Sequence, residues 1–325
     1  MTFNVYLKPM KHVPVLREEV QNYLNLSGGE VVVDATLGLG GHASDLVQKI
    51  GAKGVLIAFD QDSRNLEKAK ENLKAYTKRI HFIHDNFRHL KTRVTEEGFT
   101  EVDAILFDLG LSSPHVDEAS RGFSFLNEGP LDMRYDQRSK LTAYEVINSY
   151  AEDALAKVFY EYAEDRSSRK IARQICNQRK IKPFETTTEF ADFLNNILPK
   201  KQFRRHGKLN PATKYFQAIR IEVNDELGAL KDALKQTMEI LKVGGRVVFI
   251  SYHSLEDGIV KHFFKELERP AASPEESVYQ TFGEAIVEAL TKKPVTPGEA
   301  ELAENPRSRS AKLRAYKKLK LIPKI

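Results

Sequence analysis

Cysteine is nearly absent from this chain of 325 residues, with Cys176 the only one. An intramolecular disulfide is therefore excluded, and so is a metal cluster built on cysteines. Long apolar runs are missing too, since none approaches the ~20 residues that crossing a bilayer requires. The opening stretch, MTFNVYLKPMKHVPVL, has two lysines and a proline but no apolar h-region and no small-residue cleavage site. That argues against a secretory signal. Together these shortages lead to the expectation of a cytoplasmic protein without a membrane role. The sequence does not set its oligomeric state.

Charge of one sign is only mildly in excess, at +5, so its distribution matters more than its size. Lys200 to Lys208 puts five basic residues in nine positions, and Arg307 to Ile325 holds eight with no acid. Two separated basic segments suit a polyanion such as RNA. A solvated helix end and a lysine-rich tail would look the same on charge alone.

What is present is an alternation of strand and helix signals over the first 110 residues. Apolar runs at Val31–Ala35, Val55–Phe59, Ile80–Ile83 and Ala104–Phe107 alternate with helical stripes such as Leu66, Ala69 and Leu73. Such alternation predicts a parallel sheet with helices on both faces. Asp34, Asp60, Asp85 and Asp108 all fall at or just past strand ends, where ligands bind in sheets of this kind. Between about Pro114 and Pro211 there is no convincing strand, only short amphipathic helices. The pattern then resumes with a leucine-rich stripe from Leu227 to Leu241, a stop at Val243-Gly244-Gly245 and an apolar strand from Arg246 to Tyr252. Two late runs, Ala285–Leu290 and Ala311–Leu321, read as closing strands. The fold class expected is α/β: a Rossmann-like sheet over 1–112 and 213–325, with an all-helical domain inserted at 113–212.

The segment Asp34-Ala35-Thr36-Leu37-Gly38-Leu39-Gly40-Gly41-His42 follows the first strand and opens the first helix. Glycines let the backbone pass close to a ligand, and a helix N-terminus offers free N–H groups. A pyrophosphate loop would want G-x-G-x-x-G here, but the spacing is G-x-G-G with an acid four residues ahead. An acid there suits a cationic ligand, and Asp60 at the second strand end can accept both hydroxyls of a ribose. Adenosine joined to a cationic amino acid describes S-adenosylmethionine. A tight turn with capping acids is the plainer alternative. The missing third glycine also counts against a nicotinamide-dependent oxidoreductase.

Several strings go further. His12-Val13-Pro14-Val15-Leu16, Leu37 to His42, Asp108-Leu109-Gly110-Leu111-Ser112-Ser113-Pro114, Arg121-Gly122-Phe123-Ser124-Phe125, Gly129 to Arg134, Pro211-Ala212-Thr213, Phe216 to Ile221, Ser254-Leu255-Glu256-Asp257 and Asn305-Pro306-Arg307 occur in this order. In these blocks the chain closely resembles the bacterial small-subunit (16S) ribosomal RNA cytosine-N4 methyltransferase family, over nearly its whole length. The resemblance implies methyl transfer from S-adenosylmethionine to the N4 amine of a cytidine in the decoding region, on 16S rRNA in the small ribosomal subunit. The loop reading makes Asp34 and Gly38 candidate cofactor contacts; carried over from the resemblance, the others fall on Gly40, Gly41, His42, Asp60, Phe87, Asp108 and His115. At the last of these the family usually has Gln, and a neutral imidazole can still donate or accept a hydrogen bond.

Asp108 is the candidate catalytic group, orienting either the target amine or the cofactor's amino group. No Asp-Pro-Pro-aromatic motif accompanies it after the fourth strand. Phe123 and Phe125 are placed to stack on an unpaired base or to pack the insert. His253 is a candidate for the target base or for a structural turn. Arg134, Arg204, Arg205, Arg307 and Arg309 are the candidate phosphate contacts, with solvated surface as the rival for each. His81, His84 and His89 lack metal-ligand spacing, so no catalytic metal is expected. A silent RNA-binding protein on the same fold, or a DNA amine methyltransferase, would be separated from this reading by methyl-transfer assays.

Overall fold

Runs of Val, Ile, Leu and Phe form strands that are buried on both faces, as a sheet covered on two sides requires. In the computed structural model, which describes residues 14–198, 210–269 and 284–321, the chain divides into two compact units. The first takes the described residues of Met1–Asp60, Arg64–Gly110 and Asp232–Ile325. Its seven strands are β1 Val31–Asp34, β2 Val55–Asp60, β3 Ile80–His84, β4 Val102–Asp108, β5 Leu241–Ser251, β6 Val287–Ala289 and β7 Lys312–Lys318. They lie in the order β3-β2-β1-β4-β5-β7-β6. The β1–β2, β2–β3, β1–β4 and β4–β5 pairs are parallel, whereas β7 runs antiparallel to both β5 and β6. The fold is therefore a Rossmann-like α/β sheet, with the strand order reversing between β1 and β4.

The helices of this unit are α1 Arg17–Leu24, α2 Gly41–Lys49, α3 Ser63–Asn72, α4 Leu90–Glu96, α11 Glu226–Ile240, α12 Ser254–Glu268 and α13 Glu299–Glu304; α3 and α11 begin just outside it. One sheet face buries Leu46, Val47, Leu56, Leu66 and Leu106. On the other, aromatic rings stack in series: Phe107 on Phe249 at 4.8 Å and Phe264 on Tyr316 at 3.9 Å. No described helix is long and apolar enough to cross a membrane.

Two details depart from the sequence reading. The stop at Val243–Gly245 lies inside β5, because α11 already ends at Ile240 and the strand starts at Leu241. The β4–β5 register shifts there, from Val102↔Leu241 to Ala104↔Arg246. Gly244, at φ 87°, takes up the bulge. The late closing strands are also shorter than their apolar runs, three residues in β6 and seven in β7.

The second unit takes Gln61–Ser63 and Leu111–Lys231. Its helices are α5 Ser113–Asp117, α6 Ala143–Ser149, α7 Glu152–Tyr162, α8 Ser168–Ile181, α9 Thr187–Ile197 and α10 Thr213–Asn224. They enclose a core of their own that includes Leu155, Phe159, Ile171, Ile175, Phe190, Leu194, Phe216 and Ile219. Thr142 and Glu145 form a reciprocal capping box at the start of α6, and Thr186 caps α9. A boundary at 212/213 is corrected by this division. Tyr215, Phe216 and Ile219 of α10 pack into the helical core, so the unit extends to Lys231.

Candidate cofactor and catalytic site

Three acids stand at the carboxyl ends of neighbouring strands: Asp60 on β2, Asp34 on β1 and Asp108 on β4. The β1–β4 switch point lies among them, the usual place for a ligand in an open parallel sheet. The glycine loop follows β1 and is tied down by its neighbours. Asp60 Oδ2 accepts the Gly38 N–H at 2.8 Å, and Phe59 O accepts the Leu37 N–H at 2.8 Å. Thr36 Oγ1 accepts the Asp108 N–H at 2.6 Å, which joins the first loop to the end of β4.

Gly40 precedes α2 in the left-handed region, at φ 84°, where a side chain is strained. A Cβ at Gly40 would also come within 2.9 Å of Leu73 Cδ1, and one at Gly41 within 2.8 Å of Pro14 Cγ. The left-handed backbone at Gly40 and the proline ring beside Gly41 thus both favour glycine.

Asp34 is buried, at 1% exposure, and among the described residues its carboxylate accepts only the Thr36 N–H, at 3.1 Å. Burial pushes its carboxyl up to about 7, and the nearby Asp108 adds to the rise. Asp108 is also raised, chiefly by its enclosed position. Against that, His42, the Tyr252 hydroxyl and the Gly110 N–H favour its charged form. Tyr252 donates its hydroxyl to Asp108 Oδ1 at 2.9 Å, and His42 Nε2 stands 3.8 Å from Oδ2. Burial and Asp108 together push the Tyr252 phenol up, so it stays a donor. A Cβ at Gly110 would lie 2.6 Å from the Tyr252 ring, so glycine there admits the tyrosine.

Two raised carboxyls side by side favour a positive ligand, because a cation would stabilise the charged form of both. The fit to S-adenosylmethionine rests on this pair, with Asp60 and the N-terminus of α2 beside it.

The remaining candidates are distributed differently. Asp85 is engaged within its own unit by Arg93 at 2.6 Å and His89 at 3.1 Å. Phe87 is half-buried, its ring edge-on to Phe107 at 5.7 Å. His253 caps α12 together with Glu256, its Nε2 3.0 Å from Glu256 Oε1. Arg307 and Arg309 are exposed on a short turn at Pro306–Ser310. Arg204 and Arg205 lie outside the described residues.

In the helical unit, both ring nitrogens of His115 have partners: Ser112 Oγ at 2.9 Å and Asp62 Oδ2 at 2.9 Å. Asp62 also pairs with the fully buried Arg121, whose Nε reaches Glu118 at 2.7 Å. The rings of Phe123 and Tyr135 enclose the imidazole at 4.8 and 4.9 Å. Phe125 packs on Phe216 at 4.7 Å. Arg134 turns inward, donating to both Asp132 oxygens and to Ser139 O at 2.8 Å.

Sequence reasoning missed Thr36, Tyr252, Asp62 and Arg121. For Tyr252 a signal existed: Ile250 pairs with Asp108 across β4–β5, so a polar group just past that strand end falls beside the carboxylate.

Sheet order, glycine loop and the strand-end acids define a Rossmann-like methyltransferase. The chain belongs to the MraW methylase family, whose model matches residues 9–319. It is 45% identical over 320 residues to the ribosomal RNA small subunit methyltransferase H of Streptococcus pyogenes serotype M4, covering 96% of this chain and 99% of the relative. The protein of the same description from Streptococcus dysgalactiae subsp. equisimilis is equally similar, at 45% identity over the same shares. Among solved structures, the SAM-dependent O-methyltransferase of Thermotoga maritima is similar at 11% identity and a TM-score of 0.40, covering 96% of this chain and 69% of that one.

Proposed function

We propose that this protein methylates the exocyclic N4 amine of a cytidine in the decoding region of 16S rRNA, with S-adenosylmethionine as methyl donor. The observation that carries the reading is the Asp108 carboxylate at the end of β4, fixed by Tyr252 and faced by His42. The descriptions of the two streptococcal relatives support ribosomal RNA as the substrate class.

When bound, S-adenosylmethionine supplies an electrophilic methyl group on a sulfonium. Asp60 would hold the ribose hydroxyls, Gly38 to His42 would pass beside the amino acid portion, Phe87 would border the adenine, and Asp34 with Asp108 would face the positive charge. Ser112 ends the loop after β4, and His115 lies on α5. A cytosine amine is a weak nucleophile, because its lone pair is delocalised into the ring. Asp108 offers an acceptor for an amine N–H, which turns the lone pair out of conjugation as the new bond forms. Placement of this kind contributes several kcal/mol, up to ~7–11 in favourable cases. The target base must leave its stack, at a cost of a few kcal/mol. The inserted helical domain is the substrate-recognition element; the exposed Arg307 and Arg309 are candidates for RNA contact, whereas Phe123, Phe125 and His253 are taken up by packing and capping.

The test supplies methyl-labelled donor and small subunits from cells lacking this gene, followed by digestion to nucleosides. Label in N4-methylcytidine, lost in Asp108→Ala, is the expected result. Donor binding without label in subunits, free rRNA or DNA would sink the assignment.

A further inference from the structure

The helical unit carries a strongly basic surface that neither charge-rich segment of the sequence announces. Helix α8 has five basic residues, Arg169, Lys170, Arg173, Arg179 and Lys180, and no acid in its 14 residues. Arg179 is turned inward and donates to the carbonyls of Ile147 (2.6 Å) and Tyr150. Its neighbours Ile171, Ala172, Ile175 and Cys176 are buried on the same side. The other four cations are exposed, as is Arg166 just before the helix. At 3.6 residues per turn, Arg169, Arg173 and Lys180 fall within an arc of about 40°, and Lys170 lies within about 100°. From Arg169 to Lys180 the row is ~16 Å long.

Three features set this face apart from ordinary solvated surface. Of these five exposed cations only Arg173 has a carboxylate partner among the described residues, Glu152 at 3.4 Å, and that arginine is still 70% exposed. Arg169 and Lys170 occupy the first turn, which has no acid, although the helix dipole favours negative charge there. Arg169 and Arg173 are also four residues apart, where like charges repel. The neighbouring helices follow the opposite rule, since α7 opens with Glu152 and Asp153 and α9 has Glu189 in its first turn. At its N-terminal end, through Arg169, Lys170 and Arg173, the α8 row is therefore arranged against the helix's own stability, whereas Lys180 lies in the last turn, where a cation is favoured. A polyanion laid along the row would relieve the repulsion.

We infer that the outer face of α8 is a docking surface for the phosphate backbone of the RNA substrate, through Arg166, Arg169, Lys170, Arg173 and Lys180. The inference rests on the proposed RNA substrate and adds where that RNA is gripped. Phosphate contacts of this kind position the RNA without reading its sequence, and they make affinity depend steeply on salt.

The experiment compares the full-length protein with a variant carrying R166Q, R169Q, K170Q and K180Q. A control variant carries K53Q, K74Q and K78Q, exposed lysines of the other unit. Affinity for small subunits and for free rRNA is measured across a salt series, alongside donor affinity and kcat at saturating RNA. The α8 variant is expected to raise KM for RNA at least tenfold. Its plot of log K against log salt should flatten by roughly 0.7–0.9 for each phosphate that is no longer neutralised. Donor affinity and kcat should stay within twofold, and R166K with R169K should retain wild-type affinity. Wild-type KM and salt slope in a folded α8 variant, or the same loss in the control, would overturn the proposal. So would a loss confined to intact subunits with free rRNA binding unchanged, which would mark the face as a protein contact. If the wild-type protein itself neither binds nor methylates rRNA, the proposed function fails instead, and the two failures are distinct.

Discussion

At pH 8 the Asp34 carboxyl is mostly ionised, although burial has pushed its pKa up to about 7 from an ordinary 3.8. Between those two values the folded chain binds a proton that the unfolded chain has lost. The stabilisation associated with protonated Asp34 is thus complete below about pH 3.8 and gone once pH has risen through 7. Asp34→Asn is expected to raise stability at pH 8 by up to about 4 kcal/mol and to leave it nearly unchanged near pH 4. Thermal unfolding at the two pH values checks this. The same substitution should abolish donor binding, since it removes the charge proposed to face the cation. In the wild-type protein, donor affinity measured by calorimetry should weaken as pH falls through 7. Tyr252→Phe removes the hydroxyl that fixes Asp108. It should lower kcat by about tenfold, equivalent to ~1.4 kcal/mol, and affect donor affinity less.

At the level of elements, one tight backbone constraint in the helical unit is Gly122. It sits at φ 73°, and a Cβ there would lie 2.1 Å from Pro130 O and 2.8 Å from the Asp132 nitrogen. Gly122→Ala should therefore destabilise the unit by ~3 kcal/mol or more. Thr142→Ala, which removes one half of a capping box, should lose about 1 kcal/mol. Chemical denaturation of both variants gives the ranking, and equal losses would contradict the geometry.

The same elements show how far sequence reading extends. The first four strands and their terminal acids were legible, because β-branched runs closed by Asp state both the period and the end of a strand. The Asp62–His115–Arg121 cluster was not, since Asp62 stands 59 residues from Arg121 and no periodicity links them. The α8 row escaped for another reason. Its cations are interleaved with Ile171, Ala172, Ile175 and Cys176, so they form a run on the helix surface and none along the chain. Glycines 40 and 41 were legible as a turn between the first strand and the first sheet helix, but their packing against Leu73 and Pro14 was not.

Across the whole molecule, the sheet of the first unit is assembled from distant parts of the chain. β4 ends at Asp108 and its parallel neighbour β5 begins at Leu241, with the helical unit lying between them in sequence. β7 separates β5 from β6 and pairs with both. Lys318, buried at 2% exposure, donates its Nζ to Met238 O at 2.6 Å and Leu241 O at 2.7 Å. A chain truncated after Ala311 would lose all of these bonds and leave β5 as an open edge, which invites aggregation. Such a protein is expected to be insoluble on expression. A soluble truncated protein that still binds donor would show that the sheet closes without β7.

The position of β7 also sets an order of events during synthesis. The helical unit is nearly continuous in sequence and can gather its core while the rest is still being made. The sheet cannot close until Lys318 has emerged. At ~5–20 residues per second, the roughly 60 residues between Ser251 and Lys312 take the ribosome about 3–12 seconds. For that interval β5 waits unpaired on the side where β7 will lie. The nascent chain is most exposed to chaperones and to its own neighbours in that interval.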